Sequence, residues 1–155
     1  MDEDRIEDPL DRLIAIDVGL KCGFARFASD GRLEWFQARD LGSRARLKKA
    51  AEAILRDQPP LEGIVIEGGG DLAEIWKRAA RRLGVPLEQV SAETWRPDLL
   101  LPRQQRGSVK AKQAAHKLAE KVIAEHGSKS ATRLRTDAAE AILVGYWAAK
   151  RRGWI

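Results

Sequence analysis

Two short apolar segments, each ended by a single carboxylate, constrain the fold of this chain more than any other feature. The first is Leu13 to Val18, with the sequence LIAIDV, and the second is Gly63 to Glu67, with the sequence GIVIE. Short apolar runs rich in β-branched residues predict buried strands. An acid at the end of such a strand needs hydrogen-bond donors or a cation, because burying a carboxylate unpaired is costly or forces its protonation. Asp17 and Glu67 are therefore candidate site residues.

The surrounding segments predict an α/β domain with a mixed sheet. Asp30-Gly31 is a tight-turn signal between two further strand-like runs, so three antiparallel strands open the domain. Later strands alternate with helices, which predicts that the first, fourth and fifth strands are parallel. The remaining predicted elements are a helix capped by Ser43, a helix from its cap Asp71 to Gly84, a strand over 86–92, a loop over 94–107, and helices over 109–125 and 136–151.

The length of 155 residues corresponds to one domain, which excludes a two-lobed architecture. Charge is unevenly distributed along the chain. Residues 1–12 hold six acids and two arginines, so residues 13–155 carry 26 basic against 17 acidic side chains, or +9. We expect an acidic flexible tail over 1–12 and a single domain over 13–155. A basic body favours a polyanionic partner, of which nucleic acid is the first candidate.

Nothing in the sequence predicts a membrane or secreted protein. The longest apolar run, Ala138 to Ala149, contains Glu140 and is shorter than the roughly 18–20 residues that a membrane span requires. The first twelve residues have no apolar core of a secretory signal. The lone Cys22 fits a reducing compartment, so a cytoplasmic location is expected.

A third acidic element is the pair Asp137 and Glu140 at a predicted helix start. Acids at i and i+3 project from one helix face and can share a cation. The alternative is a capping box, with Asp137 as the N-cap and Glu140 three residues on. Taken with Asp17 and Glu67 in a basic chain, the acids favour a divalent-metal site. Ligands that are all oxygen indicate Mg²⁺ or Mn²⁺, and the histidines and Cys22 lack zinc spacing.

Four blocks of sequence resemble the RuvC-type Holliday junction resolvases of the RNase H-like superfamily. In chain order they are LIAIDVGLKCGFARF, IVIEGGG, SAETWRPDLLLPRQQRGSVKAKQAAHKL and LRTDAAEAILVGYWAAKRR. The resemblance covers nearly the whole chain after the acidic tail, and the order and spacing of the blocks carry most of its weight. It implies an RNase H-like fold with a five-stranded mixed sheet in the order 3-2-1-4-5.

The resemblance also implies a site and an activity. Asp17, Glu67, Asp137 and Glu140 match the four catalytic acids, which would hold two Mg²⁺ ions about 4 Å apart, with Mn²⁺ as a substitute, for phosphodiester hydrolysis. The implied function is the resolution of four-way DNA junctions by paired symmetric nicks, carried out by a homodimer. The family has a lysine near the scissile phosphate, and either Lys110 or Lys112 matches it. The alternative for each is an ordinary solvent-exposed lysine on a helix. Arg78, Arg82 and Arg106 are further DNA-binding candidates, and the helix Leu72 to Leu83 is the candidate dimer interface.

The chain departs from the resolvase pattern in two places. The fourth acid is often Asp in the family and is Glu140 here. The best-known resolvase type carries a base-stacking aromatic directly after the strand-4 glutamate, where this chain has Gly68-Gly69-Gly70. Trp76 and Trp95 are alternative sources of stacking, although Trp76 lies on an apolar helix stripe and is more readily a core or dimer residue.

Three other functions compete with the resolvase interpretation. The segment IDVGLKCG also resembles the phosphate motif of sugar kinases and Hsp70-like ATPases, but these need two such domains. The YqgF-like branch of the same fold, linked to ribosomal RNA processing, begins similarly, whereas the segment from Trp95 to Lys112 and the final acidic block favour RuvC. The remaining alternative is a non-catalytic nucleic-acid-binding module.

Overall fold

The computed structural model describes residues 9–105, 107–127 and 136–155, apart from the side chains of Ser108, Thr136 and Asp137. None of the helices in these ranges is long and apolar enough to cross a membrane. The elements in chain order are β1 Arg12–Asp17, β2 Lys21–Ala28, β3 Leu33–Asp40, α1 Arg44–Arg56, β4 Gly63–Glu67, α2 Gly70–Leu83, β5 Leu87–Val90, α3 Ala92–Leu99, a 3₁₀ turn Pro102–Gln104, α4 Ser108–His126 and α5 Thr136–Arg151.

The sheet is mixed, and its strand order β3-β2-β1-β4-β5 confirms the predicted order. β1 to β3 form the expected antiparallel meander, with Gly31 at φ 88° in the turn after β2. β4 lies parallel to β1, and β5 lies parallel to β4. Asp17 and Glu67 are register partners at the ends of their strands. The fold therefore brings the two strand-ending acids to one edge of the sheet.

Each face of the sheet packs against its own set of helices. Ile14 and Ile64 lie in the hydrophobic cluster with buried residues of α1 and α2. Ala15 and Val65 lie in the opposite cluster with buried residues of α3, α4 and α5. Because side chains alternate along a strand, Asp17 and Glu67 fall on the α5 face of the sheet.

Helix α5 approaches the sheet closely because Gly145 has no side chain. A Cβ at this position would lie 2.7 Å from Cε2 of Phe27 and 3.3 Å from Cβ of Ala15. Real Cβ contacts do not become this short, so the aromatic ring occupies the space of the missing side chain. This contact fixes the position of α5 over β1 and β2.

The predicted helix caps are right in two cases and wrong in one. Ser43 caps α1, with its side chain accepting a hydrogen bond from the N–H of Arg46. Gly84 ends α2 in the left-handed conformation, at φ 69°. Asp71, however, is not the N-cap of α2, because the helix begins at Gly70 and its cap is Gly69. The glycines let the chain leave β4 and turn into the helix two residues earlier than the cap preference of aspartate predicts.

The predicted loop over 94–107 is also wrong in part. Helix α3 runs through Ala92–Leu99 with Pro97 inside it, and the 3₁₀ turn follows. β5 ends at Val90, two residues before the predicted end of the strand at 92. Trp95 is completely buried, and its packing outweighs the cost of a proline in a short helix.

Candidate active site

The edge formed by β1 and β4 is held by backbone hydrogen bonds that extend past the acids. The N–H of Val18 donates to the carbonyl of Glu67 at 3.0 Å, and the N–H of Gly68 donates to the carbonyl of Val90 at 3.2 Å. The parallel pairing thus continues one residue beyond Asp17 on one strand and beyond Glu67 on the other. The backbone at Asp17 and at Glu67 is therefore held in place by the hydrogen bonds of the sheet.

Gly68 directly follows Glu67, at the position where the best-known resolvase type has an aromatic residue, and its geometry leaves little room for a side chain. Its φ is 122°, and an added Cβ would lie 3.1 Å from Cβ of Val18. Its carbonyl accepts a hydrogen bond of 2.6 Å from Nε2 of Gln89. A side chain at this position would meet both backbone strain and a close neighbour. Any base stacking at a junction therefore has to come from another part of the molecule.

Helix α5 supplies the third described acid. Glu140 lies between the buried residues Ala139 and Ala141, and its side chain is 15% exposed. Its charge acts on Glu67. Burial raises the pKa of Glu67 from 4.5 to about 7, and the negative charge of Glu140 adds to this, while the Trp95 indole and the Arg96 guanidinium lower it. Glu67 and Glu140 therefore form an electrostatically coupled pair of carboxyl groups.

The coupled pair is short of hydrogen-bond donors. Oε2 of Glu67 and Oε2 of Glu140 are buried, and neither has a hydrogen-bond partner among the described residues. The indole N–H of Trp95 is near enough to Glu67 to lower its pKa, but it makes no hydrogen bond of good geometry within the described part of the chain. Buried polar atoms are normally paired, so two orphaned carboxylate oxygens at one place indicate a site for a cation.

Sequence reasoning missed Arg96, which provides the cation nearest to these acids. Its Nη2 lies 3.2 Å from Oε1 of Glu140, and its guanidinium carbon lies 5.4 Å from the ring centre of Trp95. Helix α3 is tied to α5 by a hydrogen bond of 2.8 Å from Nε1 of Trp147 to Asp98. No local signal in the sequence marks this arginine, because its partner Glu140 lies on another element, 44 residues away along the chain.

The remaining predicted acid, Asp137, can be placed only by its backbone. α5 begins at Thr136, so Asp137 lies in the first turn, three residues before Glu140. Its side chain is outside the described part. The capping-box alternative is wrong for this helix, because Asp137 is inside the helix rather than before it, and Glu140 pairs with Arg96 instead of folding back.

The described members of the predicted set of basic residues lie on two different faces of the sheet. Lys110 and Lys112 are exposed in the first turns of α4, which packs on the same sheet face as α5. Arg78 and Arg82 are on α2, on the opposite face, where they line a cavity of about 230 Å³ between α1 and α2. Arg106 lies outside the described residues.

The two tryptophans proposed as stacking residues cannot stack on bases in this conformation. Trp76 and Trp95 are both fully buried. Trp76 packs edge-on against Phe24 at 5.7 Å between ring centres, which makes it a core residue. The stacking alternative is therefore wrong for both.

The described residues contain no group of three or more His, Cys, Asp or Glu side chains placed to hold a metal ion. The donor chemistry nevertheless fits an oxygen-seeking divalent cation. Glu67 and Glu140 each offer a buried oxygen without a partner among the described residues, and Asp17 ends the neighbouring strand. Nη2 of Arg96 donates a hydrogen bond to Oε1 of Glu140, so this oxygen of the two carboxyl groups already has a partner.

A five-stranded mixed sheet in this order, with helices on both faces and acids at the ends of β1 and β4, defines the RNase H-like fold. Within that fold the chain is similar to T. thermophilus RuvC, solved in complex with a Holliday junction substrate. The two superpose with a TM-score of 0.64 and 17% sequence identity, over 92% of this chain and 96% of that one. The RuvC-like arrangement predicted from the sequence is thus confirmed at the level of the fold.

A weaker similarity links the chain to the catalytic core domain of BIV integrase. The TM-score is 0.39 at 12% identity, over 85% of this chain and 80% of that one, which is too low to support an argument. No protein-family model and no curated protein matches the sequence.

Proposed function

We propose that this protein is a structure-selective DNA endonuclease that resolves four-way junctions by paired symmetric nicks. The observation that carries the proposal is the carboxylate pair of Glu67 and Glu140, which have orphaned buried oxygens at the edge where β1 and β4 end. Phosphodiester hydrolysis by divalent cations needs such a cluster of oxygen ligands. The fold shared with a resolvase supports the same assignment.

In this proposal Asp17, Glu67, Asp137 and Glu140 hold two Mg²⁺ ions, and Mn²⁺ can replace them. When bound, the ions activate a water molecule and stabilise the departing 3′-oxygen. The protein contributes a rigid sheet edge, an enclosed environment and the negative charge. Because burial raises the pKa of Glu67 to about 7, this side chain would have to be in its ionised form to hold Mg²⁺.

The proposed substrate is branched DNA, and the proposed functional unit that binds it is a two-fold homodimer. T. thermophilus RuvC was solved with a Holliday junction, and two symmetric cuts require two active sites. The +9 charge of residues 13–155 supports a polyanionic substrate. The candidate phosphate contacts are Lys110 and Lys112 on α4, Arg106, and Arg78 and Arg82 on α2.

The decisive experiment offers the protein a four-way junction, a plain duplex, a single strand and an RNA–DNA hybrid with Mg²⁺. Paired symmetric nicks confined to the junction are expected. Cleavage of RNA or of the hybrid would instead favour the YqgF-like alternative, and binding without cleavage would favour a non-catalytic module.

Asp17→Asn is the matched variant for this assay. It removes one negative charge but keeps the shape of the side chain, so we expect cleavage to be lost while junction binding is retained. Full cleavage by this variant would contradict the assignment of the metal site.

A further inference from the structure

The carboxylate pair already contains a positive charge supplied by the chain itself. Nη2 of Arg96 lies 3.2 Å from Oε1 of Glu140, and the two side chains are 32% and 15% exposed. A guanidinium keeps its proton at every pH that a folded protein experiences. Glu67 and Glu140 are therefore never without a neighbouring cation while Arg96 keeps this position.

The pairing is incomplete on both sides. A stable arginine–carboxylate pair usually forms two parallel hydrogen bonds, but Arg96 makes one to Glu140. Among the described residues, Nε of Arg96 is buried without an acceptor, and Oε2 of Glu67 and of Glu140 are buried without donors. A purely structural ion pair at this depth would be expected to satisfy these atoms. These unpaired atoms suggest that the contact between Arg96 and Glu140 is a temporary one, which is exchanged for contacts with another group.

The backbone that carries Arg96 is anchored, whereas its side chain has room to leave. Trp95 is fully buried in the core, and Asp98 accepts a hydrogen bond of 2.8 Å from Trp147 on α5. About one third of the Arg96 side chain is open to solvent. Rotation of the guanidinium away from Glu140 therefore requires no movement of helix α3.

We propose that Arg96 is a positioning residue that balances the charge of Glu67 and Glu140 in the metal-free protein and moves away from Glu140 when a divalent cation binds. A guanidinium and a divalent cation repel each other, so a cation held by the unpartnered Oε2 atoms of Glu67 and Glu140 weakens the contact of Arg96 with Oε1 of Glu140. Each binding event in the wild-type protein thus includes the displacement of Arg96. This inference rests on the metal site of the proposed function.

The test measures Mn²⁺ binding to the DNA-free protein by isothermal titration calorimetry at pH 8. Arg96→Gln removes the competing charge, and we expect it to bind Mn²⁺ about tenfold more tightly than the wild type. Arg96→Lys keeps the charge and should bind with an affinity between the two. Arg103→Gln is the matched control, because Arg103 is an exposed arginine in the 3₁₀ turn just beyond α3.

Two results would overturn the proposal in different ways. Saturable Mn²⁺ binding by the wild type with unchanged or weaker binding by Arg96→Gln would reject the role of Arg96 and leave the metal site intact. Absence of saturable binding by the wild type would reject the metal site and this inference together. Thermal unfolding of each variant checks the fold, and Arg96→Lys decides the question if Arg96→Gln does not fold.

Discussion

Glu67 combines two roles that conflict in the metal-free protein, since it ends a buried strand and also faces a second carboxylate. Burial and the charge of Glu140 both disfavour its ionised form, and they raise its pKa to about 7. A carboxyl group with a raised pKa binds a proton more tightly in the folded state than in the unfolded state. The folded protein is then stabilised by protonation, and this stabilisation is lost as the pH rises.

The expected consequence is a pH-dependent stability that runs opposite to that of an ordinary salt-bridged acid. In EDTA, the contribution of Glu67 to the free energy of unfolding should be full below pH 4.5 and should be lost, by about 1–3 kcal/mol, as the pH rises through 7. Urea unfolding at pH 5 and pH 8 measures the difference.

Glu67→Gln should remove most of this slope, because the amide does not titrate. Glu93→Gln, at an exposed position in the first turn of α3, should keep the slope of the wild type. An identical slope in Glu67→Gln and the wild type would mean that the pH dependence arises elsewhere.

Single residues differ in how far the sequence alone could reveal them. Asp17 and Glu67 were predictable, because a lone acid that ends an apolar strand is visible in a short window. Arg96 was not, since its partner Glu140 lies 44 residues away along the chain and nothing local distinguishes it from other surface arginines. The burial of Trp95 was missed for the same reason, as its partners lie on other elements.

At the scale of elements, the long helices and the strands were predictable from periodicity, and helix α3 was not. The sequence predicts a last helix over 136–151, and α5 spans the same residues. α3 is eight residues long and contains Pro97, so its own sequence argues against a helix. Helix α3 is stabilised by contacts with the core and with α5. A local sequence pattern cannot predict such contacts.

The contact between α5 and the sheet predicts an unusual effect of Gly145→Ala. In most helix interiors this substitution stabilises by about 1 kcal/mol, because alanine favours the helix. Here the added methyl group would lie 2.7 Å from Cε2 of Phe27, so we expect a net loss of about 1–2 kcal/mol in unfolding free energy. Urea denaturation is the measurement.

The same contact supplies a control for that prediction. Phe27→Leu shortens the opposing side chain, so Gly145→Ala should cost less in the Phe27→Leu background than in the wild type. Equal costs in both backgrounds would show that the methyl group does not meet the ring.

The bond between α3 and α5 gives a second prediction at this scale. Trp147 is 4% exposed and donates from Nε1 to Asp98 at 2.8 Å. Asp98→Ala leaves a buried donor without its acceptor, which should lower the unfolding free energy by about 1–3 kcal/mol. Asp98→Asn keeps an acceptor and should lose clearly less; an equal loss in both variants would argue against the hydrogen bond as the cause.

At the scale of the whole molecule, the basic residues lie on two faces of the sheet, and we expect the two faces to contribute differently to DNA binding. Lys110 and Lys112 are exposed on α4, on the sheet face that carries the acids. Arg78 and Arg82 line the cavity between α1 and α2 on the other face, and Arg82 lies 3.6 Å from Glu52. DNA bound at the acids should therefore meet the lysines first.

We expect the double variant Lys110→Ala with Lys112→Ala to weaken junction binding. The slope of log K against log salt should become shallower by about 1 for each lost phosphate contact. The matched double variant Arg78→Ala with Arg82→Ala removes the same charge and should change the slope less. Fluorescence anisotropy with a labelled junction at several salt concentrations distinguishes the two pairs, and a larger effect of the arginines would place the DNA on α2.

The close fit of Gly145 against Phe27 also determines what in this chain is open to redesign. Glu140 is five residues from that fit on the same helix, so its position is set by how α5 docks on the sheet. A change in the size of the side chain at Phe27 or at Gly145 would accordingly shift α5 and alter the spacing between Glu140 and Glu67. These two positions are then the place to adjust the separation of the two carboxyl groups without replacing the acids themselves.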